Sequence, residues 1–195
     1  MPLEIGRRLV HASGAVLPAA YLLDSRVLGA DLFAWSAVRT IAVAGLVVVA
    51  LLETARLYGG LEHAIYDRLT REYERDSVAG YVLYVLGGTI TVFAFGPRVA
   101  VPALFMLTLA DPVSGMLSGD RFRTVARPRV FVGMFTVSLL LALPFVPPPA
   151  AVAGAAGATV ADGIKPVVAG RVVDDNLTIP VFGATAMWAA LSIFG

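Results

Sequence analysis

Long apolar stretches dominate the chain and are separated by short polar or proline-containing segments. A helix of about 20 mostly apolar residues can cross the hydrocarbon core of a bilayer, so each long stretch predicts a transmembrane helix. We therefore expect an all-α integral membrane protein that forms one polytopic domain over residues 1–195. About seven transmembrane helices are expected, at residues 8–23, 33–52, 79–96, 98–118, 130–146, 149–169 and 178–194.

The composition is that of a protein with surface facing lipid. Hydrophobic residues make up 58% and charged residues 15% of the chain, whereas soluble domains are about half apolar and about a quarter charged. The stretch 150–161 is rich in alanine and glycine. Small residues let helix backbones approach closely, so this helix is expected in the centre of the bundle. The net charge of +1 indicates no nucleic-acid partner, and the absence of cysteine excludes disulfides and thiolate metal ligands.

Arginine residues are concentrated in alternate connections between the expected helices. Lysine and arginine accumulate in cytoplasmic loops, so we expect the N-terminus and these connections on the cytoplasmic side of the cell membrane. In the connection at residues 53–78, after the second expected helix, leucine or isoleucine recurs every four residues from Leu57 to Leu69. This spacing predicts a helix lying on the cytoplasmic interface, and a solvated connector helix is the alternative. The polar cytoplasmic segments lie near residues 53–78, 119–129 and 170–178.

Three charged residues, Asp111, Asp162 and Lys165, stand out inside the expected helices. A fourth, Arg39, lies in the outer half of the second expected helix, and its long side chain can reach the outer interface. Charges at membrane depth are rare and usually functional. Proline follows both Asp111 and Lys165; it removes a helix hydrogen bond and disfavours helical geometry in the preceding residue. We therefore expect broken helices there, with the charges lining a protein-enclosed or wet site; proline kinks near the interface are the alternative. Asp162 and Lys165 share a helix face, so an internal ion pair between them also fits the spacing.

A second polar group, Asp174-Asp175-Asn176, precedes the last expected helix. Carboxylate and amide oxygens suit Mg²⁺ or Mn²⁺ bound together with substrate phosphates, whereas helix capping would explain one of the three residues. In the expected orientation, this group meets Asp111 and Lys165 at the cytoplasmic face. Carboxylates, a lysine and several arginines at one face match phosphoryl or nucleotidyl transfer, because the protein there mainly positions substrates and neutralises charge.

Several short motifs also occur in a characteristic order. They are Glu4 to His11, Glu53 with Arg56, Arg71 to Glu74 ahead of Gly80, Tyr84 to Gly87, Asp111-Pro112 with Gly115 and Gly119, and Asp174 to Pro180. In these motifs the chain resembles the dolichol kinase and phytol kinase group, within the membrane superfamily that includes the CDP-diacylglycerol synthases. Two positions depart from that group: Arg129 to Gly133 lacks the acidic residue common there, and Asp162 stands where glutamate is common.

The resemblance implies a CTP-dependent kinase that phosphorylates a membrane isoprenoid alcohol, such as dolichol, another polyprenol or a phytol-like alcohol, at the cytoplasmic interface. It also implies Mg²⁺ or Mn²⁺ as cofactor and CTP as co-substrate. The hypothetical roles are as follows: Asp111, Asp174 and Asp175 bind the metal, Lys165, Arg121, Arg123 and Asn176 bind phosphate or nucleotide, and Asp111, Asp162 and Lys165 are catalytic. Asp162 would orient Lys165 or act as a base toward the alcohol.

Two other functions remain open from the sequence. A CDP-lipid synthase, which acts on a lipid phosphate, would use the same kinds of residue but would release pyrophosphate instead of CDP. A small membrane transporter could use the broken helices as its binding site. A transporter should carry functional groups at both faces, and the outer connections here are short and nearly uncharged.

Overall fold

The structure, a computed structural model, describes residues 2–30, 32–59, 77–118, 124–168 and 171–194. These residues are almost entirely helical. Two short strands, β1 (Val167–Val168) and β2 (Arg171–Val172), pair in an antiparallel hairpin between the last two helices. The helices are α1 (Pro2–Ser13), α2 (Val16–Leu23), α3 (Trp35–Tyr58), α4 (Gly80–Ala94), α5 (Pro97–Ser118), α6 (Pro128–Ala142), α7 (Pro148–Gly163) and α8 (Asp175–Phe194).

The expected all-α membrane architecture is confirmed in its helical content and apolarity. Within the described ranges, three helices, α3, α5 and α8, are long and apolar enough to cross a membrane. α4 and α6 are apolar but have 15 residues each, about 22 Å at the α-helical rise. Seven spans and their orientation therefore stay predictions. The expected interfacial helix falls mostly on residues 60–76, which lie outside the described residues.

The two predicted helix breaks have different outcomes. At Lys165 the break is confirmed, because α7 ends at Gly163 and the chain continues into the hairpin. At Asp111 the prediction of a break was wrong, since α5 continues from Pro97 to Ser118. A π-helical turn, Met106–Ala110, lies directly before Asp111. The wider turn accommodates Pro112 without ending the helix, so the helix is locally widened and not broken.

The small-residue helix lies where the sequence predicted. α7 packs between α6 and α8, and its contact with α8 is the most extensive of any helix pair among the described residues. A Cβ atom on Gly157 would lie 2.8 Å from the backbone oxygen of Phe182 in α8. Because a backbone oxygen cannot move aside as a side chain can, glycine is needed for the two helices to approach this closely.

A buried ion pair joins the end of α3 to the start of α4. Glu53 is 5% exposed. Its carboxylate accepts hydrogen bonds from Arg56 at 2.8 and 2.9 Å, from the Ala79 backbone N–H at 2.8 Å and from the Tyr81 hydroxyl at 2.5 Å. Arg56 also donates to the Ser77 carbonyl at 2.7 Å. Both charges are thereby satisfied, which a buried ion pair requires if it is not to destabilise the fold. Glu53 and Arg56 thus have a structural role at this end of the bundle.

Two adjacent glycines in α4 have different surroundings. A Cβ atom on Gly87 would lie 2.7 Å from the Asn176 backbone oxygen and 3.0 Å from Leu177 Cα, in the first turn of α8. A Cβ atom on Gly88 would meet only Leu104 Cδ2, at an ordinary 3.5 Å. Gly87 therefore lets α4 lie directly against the N-terminus of α8.

This difference generates a matched test of the fold. Gly87→Ala should lower the melting temperature in detergent, because overpacking against backbone costs about 1–3 kcal/mol. Gly88→Ala should leave stability unchanged or raise it, because alanine favours a helix over glycine by up to about 1 kcal/mol. Equal thermal unfolding curves for the two variants would contradict the close approach of α4 and α8.

Candidate functional site

The site begins with the π-helical turn of α5. In this turn the Asp111 backbone N–H pairs with the Met106 carbonyl instead of the Leu107 carbonyl. The next residue, Pro112, has no N–H to offer to Leu107. His11 of α1 supplies the missing partner, since its Nε2 lies 2.7 Å from the Leu107 oxygen. Because that oxygen can only accept, Nε2 carries the hydrogen. The same Nε2 is 3.2 Å from Asp111 Oδ2.

Three carboxylates from three helices converge beside this turn. One oxygen atom each from Asp111 in α5, Asp162 in α7 and Asp175 in α8 lie within 4.8 Å of one another. Asp162 and Asp175 are buried, at 5% and 4% exposed, and the Asp111 side chain is 19% exposed. We call these three residues the acidic cluster.

Asp162 is held in the last turn of α7. Its Oδ2 accepts a hydrogen bond from the Ser114 hydroxyl at 2.5 Å. Ser114 is three residues after Asp111 and therefore lies on the same face of α5. The next residue, Gly163, is packed so closely that a Cβ atom would lie 2.4 Å from the Phe131 ring. Ser114 was not predicted as a site residue; its spacing of three residues from Asp111 was the available signal.

Lys165 is positioned by backbone pairing with the segment before α6. Its N–H donates to the Thr124 carbonyl at 3.0 Å, and the Ala126 N–H donates to the Gly163 carbonyl at 2.9 Å. The side chain forms an ion pair with Asp175. The alternative of an ion pair with Asp162 is not what the structure shows, because α7 ends before Lys165 and the two residues no longer share a helical face.

The Asp174-Asp175-Asn176 group divides into two roles at the start of α8. Asp174 Oδ1 accepts the Asn176 backbone N–H at 2.9 Å, and its carbonyl accepts those of Leu177 and Thr178. These contacts are those of a helix cap. Asp175 points into the acidic cluster, and its negative charge is favoured by the positive end of the helix dipole. Among the described residues, the structure groups Asp162, and not Asp174, with Asp111 and Asp175. A metal-binding role for Asp174 stays a prediction.

Asn176, which follows Asp175 in the chain, contributes an unsatisfied buried atom. The residue is 8% exposed, and its Oδ1 has no hydrogen-bond partner within the described part of the chain. A buried polar atom without a partner costs about 1–3 kcal/mol, so a ligand that supplies the partner would be favoured. The other two residues assigned to phosphate binding, Arg121 and Arg123, lie outside the described residues.

The donor set fits a divalent cation. The three cluster carboxylates supply negative charge that Mg²⁺ or Mn²⁺ would neutralise, and Lys165 forms an ion pair with one of them. All-oxygen ligands suit these ions. Two ligand oxygens on opposite sides of Mg²⁺ lie about 4.2 Å apart. The three carboxylate oxygens of the acidic cluster lie within 4.8 Å of one another, which is a similar spacing. The bound metal would be held by Asp111, Asp162 and Asp175, and Asn176 directly follows Asp175 in the chain.

Comparison of the chain with models of known protein families, with curated proteins and with solved structures gave no match. The resemblance to lipid kinases therefore rests on the order of the motifs alone. The chemistry of the site rests on the acidic cluster, Lys165 and their burial.

Neutralising one carboxylate gives a test of the metal site. In EDTA, Asp162→Asn should raise the melting temperature, because it removes like-charge repulsion while the asparagine oxygen can keep the bond from Ser114. Wild-type protein should be stabilised by Mn²⁺, by about 2.7 kcal/mol at a hundredfold excess over the dissociation constant, and Asp162→Asn should lose most of this effect.

The control is Asp24→Asn, which changes a buried aspartate whose Oδ2 accepts the Phe33 N–H instead of facing the cluster. This variant should keep the full response to Mn²⁺. An equal response in Asp162→Asn and in wild type would show that the acidic cluster does not bind the ion.

Proposed function

We propose that the chain is a divalent-metal-dependent phosphotransferase of the membrane, which transfers the terminal phosphoryl group of CTP to an isoprenoid alcohol. The observation that carries the proposal is the convergence of three carboxylates and Lys165 inside a bundle of apolar helices. Burying such charges is expensive, so they are expected to serve a charged ligand. The choice of CTP and of an isoprenoid alcohol comes from the motif resemblance alone.

In the proposed reaction, the alcohol oxygen forms a bond to the γ-phosphorus as the bond from that phosphorus to the β-γ bridging oxygen breaks. CDP leaves with the electron pair of that bond, and the alcohol proton passes to solvent or to a carboxylate. The bound metal would neutralise charge on the phosphate oxygens. Such transfers depend mainly on positioning and electrostatic stabilisation.

Each residue of the site has a proposed task in this reaction. Asp111, Asp162 and Asp175 hold the metal. The Lys165 ammonium fixes Asp175 and faces the phosphates, which Arg121 and Arg123 also neutralise. The sequence suggested that Asp162 orients Lys165 or acts as a base. Because its carboxylate lies within the acidic cluster, we propose instead that Asp162 is a metal ligand. The apolar surfaces of α3, α5 and α8 suit a substrate that enters from the bilayer.

A CDP-lipid synthase is the second candidate, because the same metal and lysine would serve nucleotidyl transfer to a lipid phosphate. The two activities place different phosphorus atoms in the lipid product. The kinase transfers the γ-phosphorus of CTP and releases CDP. The synthase transfers the α-phosphorus as part of CMP and releases pyrophosphate. A transporter, the distant candidate, would transfer neither.

The activity test uses purified protein, Mg²⁺, a panel of isoprenoid alcohols, and CTP labelled with ³²P at either the α or the γ position. We expect label in the lipid from γ-labelled CTP only. Lipid labelled from the α position would identify the synthase instead. Activity that persists in excess EDTA, or a clear preference for ATP, would contradict the proposed metal or donor.

Lys165→Met tests charge neutralisation, because it keeps the aliphatic stem and removes the ammonium. Loss of one electrostatic stabiliser should lower turnover by a factor on the order of 10². The change also leaves Asp175 buried without its ion-pair partner, so thermal unfolding must be measured in parallel. The double variant Lys165→Met with Asp175→Asn should regain stability without regaining activity. Arg98→Met, at the expected outer face, is the control and should turn over normally. Near-normal turnover in folded Lys165→Met would contradict the role of this residue.

The proposed orientation places the site at the cytoplasmic face of the cell membrane. Single cysteines can be introduced without background, since the chain contains none. Cysteines replacing Tyr58 and Thr124, both exposed, should be protected from an impermeant thiol reagent in intact cells. A cysteine replacing exposed Gly96, which has open space around it, should be labelled. The opposite labelling pattern would invert the orientation.

A further inference from the structure

The short helix α1 is fixed to α5 on both sides of Asp111. On one side, His11 donates to the Leu107 carbonyl at 2.7 Å. On the other side, Arg8 donates to the Gly115 carbonyl at 3.1 Å. Leu107 and Gly115 are each four residues from Asp111, about one helical turn. The N-terminal helix therefore spans the part of α5 that carries the Asp111 carboxylate.

The imidazole ring of His11 is itself held in place. It packs edge-on against the Tyr84 ring, with centroids 4.5 Å apart, and the Tyr84 hydroxyl donates to the His11 carbonyl at 2.9 Å. A Cβ atom on Gly14 would lie 1.8 Å from that hydroxyl, so only glycine leaves room for it. Ring orientation and backbone position are both fixed, and Nε2 is held 3.2 Å from Asp111 Oδ2.

We propose that His11 is a positioning residue for the metal, acting through Asp111. Its Nε2–H lies between the Leu107 carbonyl and the Asp111 carboxylate, and it holds that carboxylate oriented toward the other two cluster residues. The inference rests on the proposed metal site and assigns to His11 a contact with Asp111, not with the metal.

The hydrogen bonding around Asp111 explains why histidine suits this position. Pro112 and the π-helical turn leave the Leu107 carbonyl without a backbone donor, and His11 brings one donor to both that oxygen and the carboxylate. Phenylalanine could keep the packing against Tyr84 but has no N–H. Glutamine can place an amide N–H near the position of Nε2. Asparagine is shorter and places it nearer the position of Nδ1.

The test measures Mn²⁺ binding to purified protein in detergent by electron paramagnetic resonance, which needs no turnover. Loss of a group that orients a metal ligand typically weakens metal affinity about 10- to 100-fold, and we expect a loss of this size for His11→Phe. His11→Gln should bind Mn²⁺ nearly as wild type does, and His11→Asn should bind weakly. Ser13→Ala is the control and should bind normally, because this residue of the same helix is exposed and its hydroxyl donates locally to the Val10 carbonyl.

Activity measured against metal concentration gives a second readout. His11→Phe should need more Mg²⁺ for half-maximal activity while its turnover at saturating Mg²⁺ stays close to wild type. A purely structural role would instead lower the amount of folded protein without changing the affinity of the folded fraction. If His11→Phe does not fold, the comparison of His11→Gln with His11→Asn decides the matter.

The outcomes separate the inference from the proposed function. If wild-type protein does not bind Mn²⁺, the metal site and the inference are both overturned. If wild-type protein binds Mn²⁺ and His11→Phe binds it equally well, only the inference is overturned. Equal binding by His11→Gln and His11→Asn would also contradict it, because the donor position would then not matter.

Discussion

Carboxylates that are buried close together in a membrane bundle lose hydration and repel one another, and this cost constrains much of the architecture around them. Each of the three cluster residues has an individual source of compensation. Asp162 has the Ser114 hydroxyl, Asp175 has Lys165 and the N-terminus of α8, and Asp111 has His11. These compensations come from four different segments of the chain. The acidic cluster therefore exists only when the helices are assembled, and it depends on their correct packing.

Close helix packing also brings the cluster-bearing segments together. Gly87 lets α4 lie against the first turn of α8, which carries Asp175, and Gly163 lets the end of α7, which carries Asp162, lie against α6. The local defect in α5 contributes in a different way. The π-helical turn and Pro112 leave the Leu107 carbonyl without a backbone donor. His11 donates to this carbonyl, and the bond holds α1 beside Asp111. A loss of regular hydrogen bonding in one helix thus becomes a contact between two helices.

The sequence predicted much of this site because charged residues are conspicuous in apolar stretches. Asp111, Asp162, Lys165 and Asp175 were all identified, and the structure brings them together. The partner of Lys165 could not be predicted, because it depends on whether α7 ends before or after that residue. The different roles of Asp174 and Asp175 could not be predicted either, since either of these adjacent aspartates could cap the helix. The widened turn at Asp111 could not be told from a break, because proline removes the same hydrogen bond in both cases.

The buried pair of Glu53 and Arg56 has a consequence for how the chain tolerates change in length. Contacts from this pair reach Ser77 and Ala79, so the two ends of the intervening segment are held together by α3 and α4 themselves. The free-energy cost of closing an inserted loop rises only slowly with its length. Insertions, deletions or a grafted soluble domain between these ends would therefore leave the register of α4, and the position of Gly87 against α8, largely as they are.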